Sequence, residues 1–227
     1  WSSDVCSSDL QLLQRRRRLQ VLLTTLMLDD NDIRGLEHLE AAAALEKLVI
    51  NGNRLAVVSG LAGCVSLVEL AVARQRRGIA VAPLPFERAS LAGIAATLTR
   101  LDISGNGITD LRPFATLTRL QTLAAADNAI TDAMHVAVVV HTAWRQLTSI
   151  DPRGNPCVAG VSAMEATRNA VLAAACDHFA SFNGRTVEPL QLAFIKSMAA
   201  ARGLRAAATS MSYVSADADS GSGGGGD

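Results

Sequence analysis

The chain has 227 residues, of which 49% are hydrophobic but only 4% aromatic, so its core must be built from Leu, Val, Ile and Ala. The chain has 21 lysines and arginines and 21 aspartates and glutamates. It therefore lacks the excess of basic residues that would indicate a nucleic-acid partner. No apolar run reaches the ~18–20 residues of a membrane span and no secretory signal is visible, so we expect an intracellular protein without a membrane segment.

The first residues match no later part of the chain. Trp1–Asp9 reads WSSDVCSSD, a duplication rich in Ser and Asp that resembles foreign sequence. We therefore treat residues 1–18 as an N-terminal segment that need not belong to the natural protein. Leu10–Leu22 fits either an amphipathic helix or a broken first repeat. Arg15–Arg18 would suit acidic tubulin tails or a membrane, although four arginines at a polar end are ordinarily solvated.

Six copies of the pattern LxxLxLxxN follow. The complete or nearly complete copies begin at Leu23, Leu45, Leu98 and Leu120. Two copies are degenerate, because Leu67–Gln75 ends in Gln and Leu147–Asn155 carries Pro152 at an inward strand position. The final polar residues stand at 31, 53, 75, 106, 128 and 155, so their intervals are 22, 22, 31, 22 and 27. The period is therefore 22 residues, with insertions of 9 and 5.

This pattern predicts short parallel strands whose leucines point into a core, with the Asn amide bonding backbone groups at the following turn. Gln75 is one methylene longer, so we expect a looser rung there, and Pro152 should lie near the edge of the sheet. Apolar residues at every third position predict a 3₁₀ or helical return: Leu36, Leu39, Val58, Leu61, Cys64, Leu111, Phe114 and Leu117. Cys64 belongs to this set, so we expect a buried thiol.

Two helices are expected after the repeats, over Val161–Ala180 and Val187–Arg205, and the final GSGGGGD is too polar to fold. We therefore predict an α/β leucine-rich-repeat solenoid over residues 19–157, a helical cap over 158–205 and a disordered tail over 206–227.

The 22-residue period resembles the short-repeat subclass of leucine-rich-repeat proteins typified by regulatory subunits of protein phosphatase 1. Three features carry the likeness: the Gln75 rung followed by the insertion Pro83–Leu91, the GNPC at Gly154–Cys157, and Phe179–Arg185, which is similar to the LxxLDGK end of the cap. Asn183 stands where the usual cap has Asp. The resemblance implies binding to the phosphatase 1 catalytic subunit and a location in the cytoplasm, at the cytoskeleton and microtubule-organising centre or basal body.

No catalytic residue, metal site or cofactor is predicted. The histidines His38, His135, His141 and His178 are scattered, and Ser104–Gly107 is a repeat turn that lacks the lysine of a phosphate loop. The cysteines Cys6, Cys64, Cys157 and Cys176 form no CxxC pair, so we expect reduced thiols. An enzyme is therefore not expected.

The strand residues between the inward leucines should form a concave face with charges of both signs, which suits a protein partner better than a nucleic acid. The candidate binding residues are Lys47, Asn51, Glu69, Arg100, Asp102, Asp151 and Arg153, with Arg74 at the mouth of the insertion. No short docking signal of the basic–Val–x–Phe kind is present, so a phosphatase partner would use this face. The alternative is a structural component of axonemes or basal bodies that makes no phosphatase contact.

Overall fold

The computed structural model describes residues 23–37, 39–76 and 82–201. The expectations for residues 1–18, for the Leu10–Leu22 helix and for the 206–227 tail lie outside the described residues, as do those for Cys6 and His38.

The described chain is built on one open sheet of eight strands in sequence order. The strands are β1 (Thr25–Met27), β2 (Lys47–Val49), β3 (Glu69–Ala71), β4 (Arg100–Asp102), β5 (Thr122–Ala124), β6 (Ser149–Asp151), β7 (Ser181–Phe182) and β8 (Arg185–Thr186). Neighbours from β1 to β7 pair in parallel, and β8 returns antiparallel to β7. The predicted α/β leucine-rich-repeat solenoid is confirmed.

The central residue of each repeat strand lies in register with its neighbours, so one row of aliphatic side chains points into the core. The row comprises Leu26, Leu48, Leu70, Leu101, Leu123 and Ile150. The return side closes the core with all of the predicted residues, including the buried Cys64 thiol. Burial raises the pKa of this thiol to about 11, so it stays protonated at neutral pH.

The Asn ladder forms as the pattern predicts. Asn53 Nδ2 donates to the carbonyls of Leu28 at 2.8 Å and Ile50 at 3.1 Å, while its Oδ1 accepts the Ile33 N–H at 3.1 Å. Each coil is therefore bonded to the one before it through a buried amide, and Asn106, Asn128 and Asn155 repeat the arrangement.

Gln75 also takes part in the ladder. Its Nε2 donates to Ile50 O at 2.8 Å and Val72 O at 3.2 Å, and its Oε1 accepts the Leu55 N–H at 3.1 Å. The expected loosening is therefore absent from the hydrogen bonds of this rung, because the longer side chain reaches the same three kinds of backbone partner.

The residue before each ladder position lies in the left-handed region of the backbone. From the first coil to the sixth these residues are Asp30, Gly52, Arg74, Gly105, Asp127 and Gly154, with φ between 53° and 72°. Side-chain-bearing residues and glycines thus alternate along this row, which we call the turn row. A Cβ on Gly52 would lie 2.1 Å from Asp30 Oδ1, and a Cβ on Gly154 would lie 2.1 Å from Asp127 Oδ1.

The insertion leaves the third coil after the Gln75 rung and rejoins the core at the buried Leu84. Its returning part is tied to the preceding coil, because Val58 N–H donates to Pro85 O and Glu87 N–H donates to Val58 O, both at 2.9 Å. The buried Ser90 hydroxyl accepts the Leu61 N–H at 3.0 Å. The latter half of the insertion is therefore an integral part of the solenoid.

Helical segments follow on the return side. The α-helices are α1 (Arg88–Ile94), α2 (Ala133–Thr142), α3 (Gly160–Ala174) and α4 (Pro189–Ala201), and 3₁₀ turns span Leu39–Ala41, Arg112–Thr116 and Pro156–Val158. Asp132 caps α2, because its Oδ1 accepts the N–H groups of Met134 and His135 at 2.8 and 3.2 Å.

The chain after the sixth strand departs from the prediction in where helix α3 ends. Helix α3 ends at Ala174 rather than Ala180, because Ala175 adopts extended backbone and the Ala180 and Ser181 N–H groups donate to Thr148 O, which brings the chain back to the sheet. The turn between β7 and β8 is Asn183-Gly184, and both residues have positive φ, as a two-residue hairpin requires. The proline rung lies near the edge as predicted, since within residues 152–201 it is followed in the sheet by the two-residue strands β7 and β8 alone.

Candidate functional site

The concave face consists of the residues that flank the inward row, and the strand register sorts them into three rows. The first row is Thr25, Lys47, Glu69, Arg100, Thr122 and Ser149; the second is Met27, Val49, Ala71, Asp102, Ala124 and Asp151; the third, just past the strands, is Asp29, Asn51, Ala73, Ser104, Ala126 and Arg153. Neighbours within a row are separated by the strand spacing of about 4.8 Å, so their side chains can touch.

Three of the predicted residues form one charged cluster across β2, β3 and β4. Lys47 Nζ lies 2.7 Å from Glu69 Oε1, and Arg100 Nη1 lies 3.4 Å from Glu69 Oε2. The hydrogen bond from Lys47 lowers the pKa of the Glu69 carboxyl, with a further contribution from Arg100. Each carboxylate oxygen of Glu69 thus has a cationic partner, whereas the Arg100 side chain remains 64% exposed. The cluster therefore presents a net positive edge to a partner.

A second charged pair lies at the end of β6. Arg153 Nε donates to both carboxylate oxygens of Asp151 at 2.8 and 3.0 Å, and this pairing raises the pKa of the Arg153 guanidinium. Strand β5 separates this pair from the first cluster and contributes only Thr122, Ala124 and Ala126 to the concave face. The two charged groups thus lie on either side of a floor of small side chains.

Other predicted site residues have structural contacts that sequence alone did not assign. Asn51 accepts the Ala73 N–H through Oδ1 at 2.7 Å and donates its own N–H to Asp29 Oδ1 at 2.9 Å. Asp102 Oδ1 accepts the Ser104 N–H at 2.9 Å. These side chains hold the ends of the strands in place, so their substitution would affect folding.

Arg74 does not join the concave face. It belongs to the turn row, with φ of 53°, and its Cγ lies 2.8 Å from where a Cβ on Gly105 would be. Two further arginines lie near the insertion: Arg54 Nε is 3.1 Å from Asp32 Oδ1, and Arg76 Nη2 donates to Asn31 O at 2.6 Å. Arg54 is not predicted from the sequence, because only the stacking of coils brings Arg54 and Arg76 to the same Asp32 carboxylate.

On the return side, Asp110 contacts a histidine and an arginine. His135 Nε2 lies 3.0 Å from Asp110 Oδ1, and Arg112 Nε donates to Asp110 Oδ2 at 2.8 Å. Burial raises the pKa of Asp110, but hydrogen bonds from Arg112 and the charge of His135 outweigh it, so the pKa is lowered overall. Within the described ranges no group of His, Cys, Asp and Glu could hold a metal ion. None of the described helices is long and apolar enough to cross a membrane.

The comparisons with known proteins agree with this architecture at the level of the repeat. Residues 97–117 match the leucine-rich-repeat family. A comparison with curated protein sequences found no significant match.

Solved structures with similarity to the chain include bacterial and receptor-complex proteins. Internalin C2 of Listeria monocytogenes is 19% identical over 77% of this chain and 78% of its own, with a TM-score of 0.44. Internalin inlF of Listeria monocytogenes is 16% identical over 73% of this chain and 62% of its own, with a TM-score of 0.36. A chain in the octameric complex of latrophilin 3, Unc5D and FLRT2 is 22% identical over 53% of this chain and 44% of its own, with a TM-score of 0.36. The chain thus spans less than two thirds of the latter two.

Proposed function

We propose that this leucine-rich-repeat solenoid is a protein-binding scaffold that holds its partner on the concave face. One observation carries the proposal: the Lys47–Glu69–Arg100 cluster and the Asp151–Arg153 pair lie on either side of a floor of small side chains on a sheet in strict register. Solenoids of this kind present extended concave surfaces, and leucine-rich repeats generally serve as scaffolds for protein–protein interaction.

The charge pattern indicates what such a partner needs. Arg100 is exposed while its counterion Glu69 is shared with Lys47, so Arg100 can accept a carboxylate from outside without losing a full ion pair. The small floor beside it admits the side chains of a partner close to the backbone of β5. Contacts of mixed sign set orientation and association rate more than they set affinity.

The finer proposal rests on the resemblance described above, which is strongest to regulatory subunit 42 of protein phosphatase 1. The partner is then the catalytic subunit of that phosphatase, and the complex is located in the cytoplasm at microtubule-organising structures, with tubulin as a second partner. What supports this is the Gln75 rung, the insertion that follows it and the Phe179–Arg185 cap sequence.

Affinity purification of the tagged full chain from cells tests the partner. Enrichment of the phosphatase catalytic subunit supports the finer proposal. Enrichment of axonemal or basal-body proteins without the phosphatase favours the alternative of a structural component.

A pair of matched variants tests the surface. The double variant Arg100→Glu/Asp102→Lys reverses two concave charges at constant net charge, and we expect capture of the partner to weaken by at least about tenfold, which corresponds to ~1.4 kcal/mol. The control Arg88→Glu/Glu165→Lys makes the same two charge reversals at exposed positions of α1 and α3. Equal capture by both folded variants, as judged by circular dichroism, would place the partner elsewhere.

A further inference from the structure

The dipeptide Asn-Gly occurs three times in the chain, at Asn51-Gly52, Asn106-Gly107 and Asn183-Gly184. In this dipeptide the glycine nitrogen can attack the side-chain amide of the asparagine, because glycine has no Cβ to hinder the approach. The attack needs a backbone that can rotate, an asparagine amide that is free to turn, and water. The three sites differ in these respects although their dipeptides are identical.

The first two sites lie in repeat turns and are held by hydrogen bonds. Asn106 is buried, its Oδ1 accepts the Gln75 N–H at 3.0 Å, and its Nδ2 donates to two carbonyl oxygens. At the other turn, Ala73 binds both halves of the dipeptide. Its N–H donates to Asn51 Oδ1 at 2.7 Å, and its carbonyl accepts the Gly52 N–H at 2.9 Å. Neither asparagine can bring its amide carbon to the next nitrogen without breaking these bonds.

The third site is the turn of the β7–β8 hairpin, where the same groups are held weakly. Asn183 Nδ2 donates at 2.7 Å to Met164 Sδ, which is a weak acceptor, and its Oδ1 has no hydrogen-bond partner among the described residues. The Gly184 N–H also donates to no described group, and Gly184 is exposed to water. The amide that is attacked and the nitrogen that attacks it are therefore both without strong hydrogen bonds.

The hairpin around this turn is short and lies at the end of the described sheet. β7 and β8 have two residues each, and within that sheet β8 pairs with β7 alone. Both residues of β8 are exposed. Local opening of such an element costs much less free energy than unfolding of the whole chain. The backbone at Asn183 can therefore leave its left-handed conformation, with φ of 55°, and reach the one that attack requires.

We propose that Asn183 is a site of spontaneous deamidation, selected from three identical dipeptides by the structure of the cap hairpin. The Gly184 nitrogen forms a bond to Cγ of Asn183, the bond from Cγ to Nδ2 breaks, and Nδ2 leaves as ammonia with the proton of the Gly184 N–H. Water then opens the resulting succinimide ring at either carbonyl carbon, which gives aspartate or isoaspartate. In isoaspartate the main chain runs through the side chain and gains one methylene. This product disrupts the turn between the buried Phe182 and Val187.

Peptide mass spectrometry of the full chain tests the proposal, because trypsin separates the three sites. Cleavage after Lys and Arg places them in residues 48–54, 101–119 and 169–185. The native chain is incubated in weakly alkaline buffer, and tandem mass spectrometry follows the conversion of each amide to a carboxyl, against an aliquot taken at the start. We expect Asn183 to react at least about tenfold faster than the other two asparagines, since each of those must first give up buried or backbone hydrogen bonds. Incubation in urea should make the three rates nearly equal, because the unfolded dipeptides are equivalent.

Asn183→Gln is the matched control, since the longer glutamine side chain closes a ring much less readily. Its peptide 169–185 should stay unmodified, which assigns the change in the wild type to Asn183 rather than to Asn169 on α3. Conversion of this peptide that persists in the folded variant would overturn the proposal.

Two results for the wild type would also overturn it, whether or not the variant folds. Equal native rates at the three asparagines would show that the hairpin does not expose Asn183 to attack. A preference for Asn183 that survives in urea would show that the residues around the site, and not the hairpin, select it.

Discussion

Replacing Asn128 with alanine tests the ladder that joins the coils. The Asn128 Oδ1 accepts two backbone N–H groups, from Asn106 at 3.0 Å and from Ile108 at 2.9 Å. Both bonds are buried, and alanine has nothing to replace the oxygen. At about 1–3 kcal/mol for each of the two buried donors left without a partner, the free energy of unfolding should fall by about 2–6 kcal/mol.

The amide nitrogen contributes less to this loss. Asn128 Nδ2 donates to Ile103 O and Ala125 O, but these carbonyls also accept from the side chains of Asn106 and Asn155. They therefore keep a partner when Asn128 is removed. The penalty comes from the two donors, and this makes the comparison with the first rung informative.

Asn31 occupies the same ladder position in the first described coil and provides the control. Its Nδ2 donates to Leu28 O at 3.2 Å and Asp29 O at 3.0 Å, but no described N–H donates to its Oδ1. Asn31→Ala should therefore lower the free energy of unfolding by less than about 1 kcal/mol.

Urea unfolding measures both variants. Far-ultraviolet circular dichroism reports the whole solenoid, and the fluorescence of the buried Trp144 reports the region around α2. The two probes must give one transition before a single free energy is assigned, because repeat proteins can unfold in parts. If the two Asn variants lose equal free energy of unfolding, or if Asn128→Ala loses less than about 0.5 kcal/mol, the buried N–H groups do not depend on Asn128 as argued.

Three further predictions concern single groups. In Lys47→Met the pKa of Glu69 should rise toward its ordinary value, which carboxyl titration by NMR measures. In the wild type the lowered pKa means that the ion pair stabilises the fold at neutral pH. This stabilisation is lost as the pH falls through the pKa of Glu69. The Cys64 thiol should react with a maleimide only when the chain unfolds, so reaction at the same rate in the native protein would contradict its burial and its pKa of about 11. Gln75→Asn should change the free energy of unfolding by less than about 1 kcal/mol, since either amide can bond the neighbouring coil, and a larger loss in urea would show that the extra methylene is needed there.

Much of the fold follows from the sequence because the repeat fixes both the strand register and the inward side. The ladder positions and the buried Cys64 could be assigned in this way, and so could the row that aligns Lys47, Glu69 and Arg100. Whether those three charges touch depends on side-chain conformation, which periodicity does not determine.

The parts that sequence did not resolve lie where the period breaks. The Ser90 hydroxyl is buried against Leu61 N–H, twenty-nine residues earlier, and no local pattern encodes that contact. The sequence predicts that helix α3 continues to Ala180, because Phe179 keeps the helical spacing. In the structure Phe179 is buried in the core but lies in the segment after the helix. The exposure of Leu190, Phe194 and Met198 on α4 is not predicted either, because an apolar helix is ordinarily assigned to a core.

The turn row makes neighbouring coils depend on each other in pairs. Where one coil has Asp30, Arg74 or Asp127, the next has a glycine whose missing Cβ leaves room for that side chain. Duplicating a single repeat that carries Asp or Arg in the turn row would place two side chains in one space, whereas duplicating two adjacent repeats together would keep the alternation. The unit that can be copied in this solenoid is therefore about 44 residues long, twice its 22-residue sequence period.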